Sequence, residues 1–173
     1  FRARRMQAER RKNPSPVGPS QTAAELLPGH VVLGFAGDQL KTLLGSCVSV
    51  ILTDPRRTVG AMCHIVHIGR PNAANAHNTA FGVVAMQEMF DRLIDVGIPP
   101  QRCQAYVYGG GNMFPQMFST THVGAKNADW VLDYLHHYDI TILEQSLGGN
   151  GYRKVAWTVG YDAPVVETIQ SEF

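Results

Sequence analysis

The chain has 173 residues, 45% of them hydrophobic and 17% charged, which is enough apolar material for one domain around a single core and excludes disorder throughout. No apolar run approaches the roughly 20 residues of a membrane-spanning helix, so a soluble chain without membrane insertion is expected. The net charge of +1 is uneven: residues 1–12 hold six basic residues against Glu9, a net +5, and the nine basic and thirteen acidic residues from Asn13 onward leave a body of −4 that argues against nucleic acid as a partner.

The basic run leads into Asn13-Pro14-Ser15-Pro16-Val17-Gly18-Pro19-Ser20, whose prolines neither continue a helix nor join a sheet interior. Residues 1–20 therefore read as a flexible basic, Pro-rich arm and residues 21–173 as one domain. Short β-branched or apolar runs bounded by turn residues predict strands at 31–34, 42–44, 48–53 and 59–68, and the polar stretch 72–78 predicts a loop. Over 79–96 the apolar residues Phe81, Ala85, Met89, Leu93 and Val96 recur at three and four, which predicts a helix with Asn78 or Thr79 as N-cap and Gly97 as terminator. A strand at 105–108 runs into Gly109-Gly110-Gly111-Asn112, and a second helix is expected over 125–138, with Ala128, Val131, Leu132 and Leu135 on one face. Strand patterns at 140–143, 155–159 and 165–169 end the chain, the last two as a hairpin across Gly160-Tyr161-Asp162-Ala163-Pro164.

The three cysteines, Cys47, Cys63 and Cys103, form no C-x-x-C pair and no even framework, which suits a reducing cytoplasm rather than a secreted disulfide scaffold. Cys47 and His64 lie on two predicted strands flanking an Asp54-Pro55 turn. If that turn is the four residues 54–57, Thr53 faces Thr58 and Cys47 faces His64, provided no bulge at Gly60 intervenes. Directly opposed residues have Cβ atoms about 4.5–5.5 Å apart, close enough for an imidazole to take a thiol proton and later give it to a leaving group. The Gly45-Ser46 turn just before Cys47 would expose its sulfur. The competing reading is a small core cysteine and a satisfied strand histidine.

Cys63, His64 and His67 also cluster in sequence as zinc would require, but on a strand Cys63 and His67 share one face at roughly 13 Å separation while His64 points to the other. Cys63 and Cys103 read most simply as core thiols. His77 and His122 fall in expected loops, as solvated side chains or as lining of a site. His136 and His137 end the second helix, where the dipole suits a cation. The glycines 109–111 lack the G-x-x-x-x-G-K-[ST] context of a phosphate loop and fit close backbone packing instead.

Six spaced stretches together resemble the CheD chemoreceptor glutamine deamidases: Leu44-Gly45-Ser46-Cys47-Val48, Asp54-Pro55, Val59-Gly60-Ala61-Met62-Cys63-His64, Gly109-Gly110-Gly111-Asn112-Met113-Phe114, Gly124-Ala125-Lys126-Asn127 and Gly148-Gly149-Asn150. The resemblance implies an α/β fold of the α+β type, with mixed β-sheets in a sandwich-like core flanked by helices, similar to the catalytic domain of cytotoxic necrotizing factor toxins. It implies Cys47 as nucleophile and His64 as base. The family's third residue, a threonine that orients the histidine, stands six positions before the cysteine. This chain has Lys41 there, so either Thr42 takes the role after a one-residue shift or the orienting group differs.

The activity implied is that of a protein-glutamine glutaminase: hydrolysis of glutamine side chains to glutamate on the cytoplasmic helices of chemotaxis receptors, through a thioester on Cys47 and without a cofactor or metal. Methylesterase activity on receptor glutamyl esters and a CheC-like phosphatase partner are implied with it. A binding module that docks on receptors or on such a phosphatase without turnover is the alternative, with Lys41 as its one sequence hint. The basic arm is expected to speed encounter with acidic receptor helices.

Overall fold

The structure, a computed structural model, describes residues 22–117 and 122–170. In chain order it contains β1 (Ala23–Leu26), β2 (Val31–Phe35), β3 (Gln39–Leu44), β4 (Val48–Thr53), β5 (Val59–Cys63) and α1 (Gly82–Asp95). These are followed by β6 (Gln104–Gly109), α2 (Val123–His137), β7 (Thr141–Leu147), β8 (Gly151–Thr158) and β9 (Val165–Gln170). The predicted arm over 1–20 lies outside the described residues.

Burial separates the strands into two kinds. Every residue of β4 and β5 is buried, whereas β3 and β8 alternate between buried and exposed. Strands apolar on both faces need cover on both; alternating strands need it on one. The five-stranded sheet β2-β5-β4-β6-β7 is accordingly the middle layer, with the four-stranded sheet β1-β3-β8-β9 on one face and both helices on the other. Both sheets are mixed, since β1 runs parallel to β3 and β6 parallel to β7 while the other pairs are antiparallel. The result is the expected α+β arrangement.

Two apolar clusters follow from the layers. Val48, Val50, Leu52, Ala61, Cys63, Ile65 and Val107 meet Met86, Met89 and Leu93 of α1 and Val131 and Leu135 of α2. Between the sheets, Leu26, Leu40, Leu44, Ile51, Met62, Tyr106, Tyr108, Val155 and Trp157 form the second cluster. Along β4 and β5, even and odd positions thus part company: Cys47, Ile51, Met62 and His64 belong to the layer between the sheets.

Several predicted boundaries move. The short β1 gave no periodic signal and exists through its parallel pairing with β3. The strand predicted over 59–68 ends at Cys63, because the next pair is broken on one side: the His64 N–H still donates to the His30 carbonyl, but the His30 N–H turns to the Leu27 carbonyl and the His64 carbonyl accepts from Gly29 N–H instead. Asn78 and Thr79 do not cap α1, whose N-cap is Phe81. Instead Asn78 Oδ1 accepts from the Ala80 N–H and the Thr79 hydroxyl donates to the Gly29 carbonyl. Gly97, at φ +81°, does follow the end of α1, and β8 and β9 form the expected antiparallel pair. No helix among the described residues is long and apolar enough to cross a membrane.

Gly60 stays in the ladder, paired with Thr53, and forms no bulge. A Cβ there would run into the Trp157 ring, so the missing side chain is what lets the second sheet close on the first. Replacing Gly60 with alanine should lower stability in urea denaturation by about 1–3 kcal/mol through overpacking. Gly69→Ala, where an added Cβ meets nothing within 4 Å, should stay within about 0.5 kcal/mol of wild type.

Candidate active site

His64 leaves β5 pointing into the layer between the sheets, 3% exposed. There it meets Thr42, which alternation along β3 turns inward, with Oγ1 2.8 Å from Nδ1 of His64. The same Oγ1 donates to the Leu26 carbonyl of β1 at 2.9 Å. A hydroxyl has one proton to give. With that proton on Leu26, Thr42 can only accept from His64, so Nδ1 carries the hydrogen and Nε2 is left with its lone pair. A backbone carbonyl in one strand therefore sets the tautomer of a histidine in the other sheet.

Cys47 stands just before β4, half-buried, and packs against the cluster between the sheets. The expected direct opposition of Cys47 and His64 is not what the structure has. Thr53 pairs with Gly60 rather than Thr58, and Val48 bridges to Ile65, so the register is shifted by two residues. The cause lies in the Asp54 side chain. Its carboxylate accepts the Thr58 N–H at 2.8 Å, the Val59 N–H at 3.0 Å and the Thr58 hydroxyl at 2.7 Å, which takes Thr58 out of the ladder and widens the turn, with Arg57 at φ +57°. A two-residue slip preserves the face. Cys47 and His64 remain on the same side as diagonal neighbours, a relation in which Cα atoms sit about 7–8 Å apart with Cβ atoms closer, within reach of a ring as long as imidazole.

Burial pushes the Cys47 thiol up from its ordinary value and holds the His64 imidazole below the usual histidine range, against an opposing pull from the Leu26 carbonyl and with a smaller like-charge push from His30. Both groups are thus neutral at neutral pH.

The backbone around Cys47 is held by three glycines and an asparagine. Gly110 N–H donates to the Cys47 carbonyl at 2.9 Å and Gly111 N–H to the Gly45 carbonyl at 3.0 Å. Gly109 and Gly110 have φ of +116° and +65°, and a Cβ on Gly109 would collide with the Cys47 carbonyl. Asn127 on α2 donates from Nδ2 to the Ser46 carbonyl at 3.0 Å. Arg153, buried on β8, braces the ends of two strands by donating to Ser146 Oγ, Gly109 O and Gly148 O at 3.1, 3.2 and 2.7 Å. Beside Ser46 opens a mainly apolar pocket of about 260 Å³, lined among others by Met113, Phe114, Val123 and Lys126. Neither Cys47 nor His64 lines it.

A family model described as CheD chemotactic sensory transduction matches residues 68–162, beginning after both Cys47 and His64. A protein of Albidiferax ferrireducens named "Probable chemoreceptor glutamine deamidase CheD 2" is 35% identical over 138 residues, which cover 78% of this chain and 80% of that one. One of Pseudomonas savastanoi pv. phaseolicola, named "Probable chemoreceptor glutamine deamidase CheD", is 31% identical over 144 residues, 82% of this chain and 80% of its own. The chain belongs to the CheD family. Among solved structures, a Neisseria meningitidis protein aligns with 81% of this chain and 76% of its own at 10% identity and a TM-score of 0.47, too weak a likeness to add to the argument.

Lys41, at the position where threonine was expected, faces outward from β3, and its neighbour Thr42 faces His64. Cys63 lies on the helix side with its thiol pushed up to about 12 by burial, and Cys103 reaches about 12 through burial and the nearby Asp54 charge. Cys63 and His64 point to opposite faces as strand alternation requires, and no cluster of three or more metal-ligating side chains occurs among the described residues. His122 is the N-cap of α2, accepting the Ala125 N–H at 3.2 Å through Nδ1. Asn127 carried no assigned role in the sequence, yet a signal was there: it shares the buried face of α2 with Gly124, Ala128, Val131 and Leu135, where an amide must have a bonding reason.

Two measurements check this geometry. Imidazole ¹⁵N shifts of His64 at pH 7.5 should show the Nδ1–H tautomer, and Thr42→Val should lose that preference while Thr42→Ser keeps it. Iodoacetamide should label Cys47 before Cys63 or Cys103, at a rate that climbs with pH beyond the ordinary thiol value of 9.0.

Proposed function

We propose that this chain is a cysteine-dependent amidohydrolase of the protein-glutamine glutaminase type, acting on glutamine side chains of chemoreceptors. The observation that carries the reading is the relay from Leu26 through Thr42 to His64, which leaves an unprotonated Nε2 on the face that carries Cys47. The names of the relatives supply the substrate class.

In the proposed reaction His64 Nε2 takes the Cys47 proton as sulfur attacks the carboxamide carbon. The carbonyl oxygen becomes an oxyanion. On collapse the C–N bond breaks, His64 passes its proton to the departing nitrogen, and ammonia leaves a thioester. Water, deprotonated by His64, then attacks the thioester, releasing glutamate and restoring the thiol. A glutamyl methyl ester fits the same cycle with methanol as leaving group, which makes methylesterase activity a corollary. With the thiol shifted up and the imidazole down, proton transfer accompanies attack and no resting thiolate is stored. The non-catalytic alternative rested on Lys41; the contact of Thr42 with His64 supports the catalytic reading instead.

Receptor cytoplasmic helices incubated with the protein should gain about 1 Da at target glutamines, the mass difference of NH₂ and OH, and Cys47→Ala should abolish the change. A gain that persists in Cys47→Ala would overturn the reading. Because burial lowers the His64 value, the base is already free at neutral pH. kcat/KM should therefore rise with pH through an acid limb centred below 6.5 and stay flat through neutrality. A limb centred above 7 would contradict the neutral-pair mechanism.

A further inference from the structure

We propose that Asn127 is a positioning residue for the oxyanion: its amide turns the Ser46–Cys47 peptide so that the Cys47 N–H is presented to the oxygen of the attacked carboxamide. The inference rests on the hydrolase reading above and adds to it a residue from the far side of the central sheet.

The geometry is built from three pinned carbonyls and one open donor. Gly45 O is held by Gly111 N–H, Ser46 O by Asn127 Nδ2 and Cys47 O by Gly110 N–H, at 3.0, 3.0 and 2.9 Å. In an antiparallel ladder the bond from Gly110 N–H to Cys47 O would be matched by one from Cys47 N–H to Gly110 O. That partner bond is missing among the described residues, because Gly109 and Gly110 at positive φ turn the chain away. Among the described residues the Cys47 N–H has no protein acceptor, one bond from the Cα that bears the thiol. In a trans peptide the C=O and N–H point in opposite directions, and the described residues contain no cis bond. Fixing Ser46 O from the α2 side therefore aims the Cys47 N–H away from α2. An oxygen on a carbon bonded to Sγ falls within reach of that N–H, and no free carbonyl of residues 45–47 competes for it or repels the developing charge.

Asn127 is suited to this and to little else at its position. It is 2% exposed, inside a helix whose other inward residues are small or apolar, and its donor reaches a carbonyl 81 residues away in the chain. Its placement is itself enforced. Gly124, one turn earlier, lies so close to Gly110 and Gly111 that a Cβ would strike both, so the first turn of α2 is seated directly on the glycine run. A residue serving only the packing of α2 would have been better apolar.

The test separates chemistry that needs an oxyanion from chemistry that does not. Alkylation of Cys47 by iodoacetamide displaces iodide at a saturated carbon and forms no oxyanion; glutamine hydrolysis forms one at each step. Asn127→Ala and the isosteric Asn127→Asp, which sets a carboxylate against the Ser46 carbonyl, are expected to lower kcat on a receptor-helix substrate about 10- to 100-fold, with KM and the Cys47 alkylation rate within about threefold of wild type. Parallel loss of alkylation and turnover would assign Asn127 to the fold or the thiol and overturn the proposal, as would unchanged kcat. A second measurement needs no variant: when a peptide carrying an aldehyde in place of the glutamine carboxamide forms a hemithioacetal with Cys47 of the wild-type protein, the Cys47 amide proton should shift downfield. An unmoved amide resonance on the hemithioacetal overturns the proposal. Failure of the hydrolase reading itself would look different, as normal Cys47 alkylation in a wild-type protein that leaves receptor glutamines unchanged.

Discussion

The site hangs on one hydrogen bond between sheets, from Nδ1 of His64 to Oγ1 of Thr42, and on the fact that Thr42 has already given its only proton to Leu26. Three strands from two sheets meet in that relay: β1 offers the carbonyl, β3 the hydroxyl and the residue just beyond β5 the imidazole. Threonine is short, so the bond exists only while the sheets are pressed together. The apolar layer of Leu40, Leu44, Met62 and Trp157, and the gap that Gly60 leaves for the indole, hold them there. Packing free energy in the core is thereby converted into the protonation state of one ring nitrogen.

Burial does two opposed things at this place. It favours a neutral imidazole, which a general base requires, and it disfavours a thiolate, which a nucleophile ultimately becomes. The proposed chemistry reconciles them by moving the proton only when the carbon is attacked, so that negative charge passes to the carboxamide oxygen instead of resting on sulfur. That shifts the catalytic burden to whatever receives the oxygen. The glycine run and Asn127 matter for this reason: they hold the carbonyls around Cys47, whose N–H has no acceptor among the described residues.

Much of the architecture was legible in local pattern. The 3.6-residue spacing marked α1 and α2, β-branched runs marked β4, β6, β8 and β9, and the glycines 109–111 were correctly read as close backbone packing. The errors come from bonds outside the regular pattern, two of them side chains that bond to backbone and one a break in the backbone pairing itself. Asp54 captured the amides of Thr58 and Val59 and slid the pairing by two residues. His30 and Gly29 ended β5 at Cys63, and Asn78 spent its carbonyl on Ala80 rather than on the start of α1. None of these bonds has a period, so hydrophobic patterning was blind to them.

The sequence by itself singled out Cys47 and His64 as candidates and placed them on one face of their strands. Alternation is a property of the strand alone, so Cys47 and His64 on one side and Cys63 on the other survive a register change of two, whereas the choice between Thr42 and another group beside His64 stayed open until the sheets were packed. Only the tertiary structure decided which of those residues touch. The contact of Thr42 with His64 joins two sheets, that of Asn127 with Ser46 crosses from a helix to a strand end 81 residues away, and the open N–H of Cys47 arises from where a neighbouring strand turns aside. Such distances are set by how layers pack, a result of the whole core's volume and of where glycine leaves room, and no local stretch of the chain encodes it.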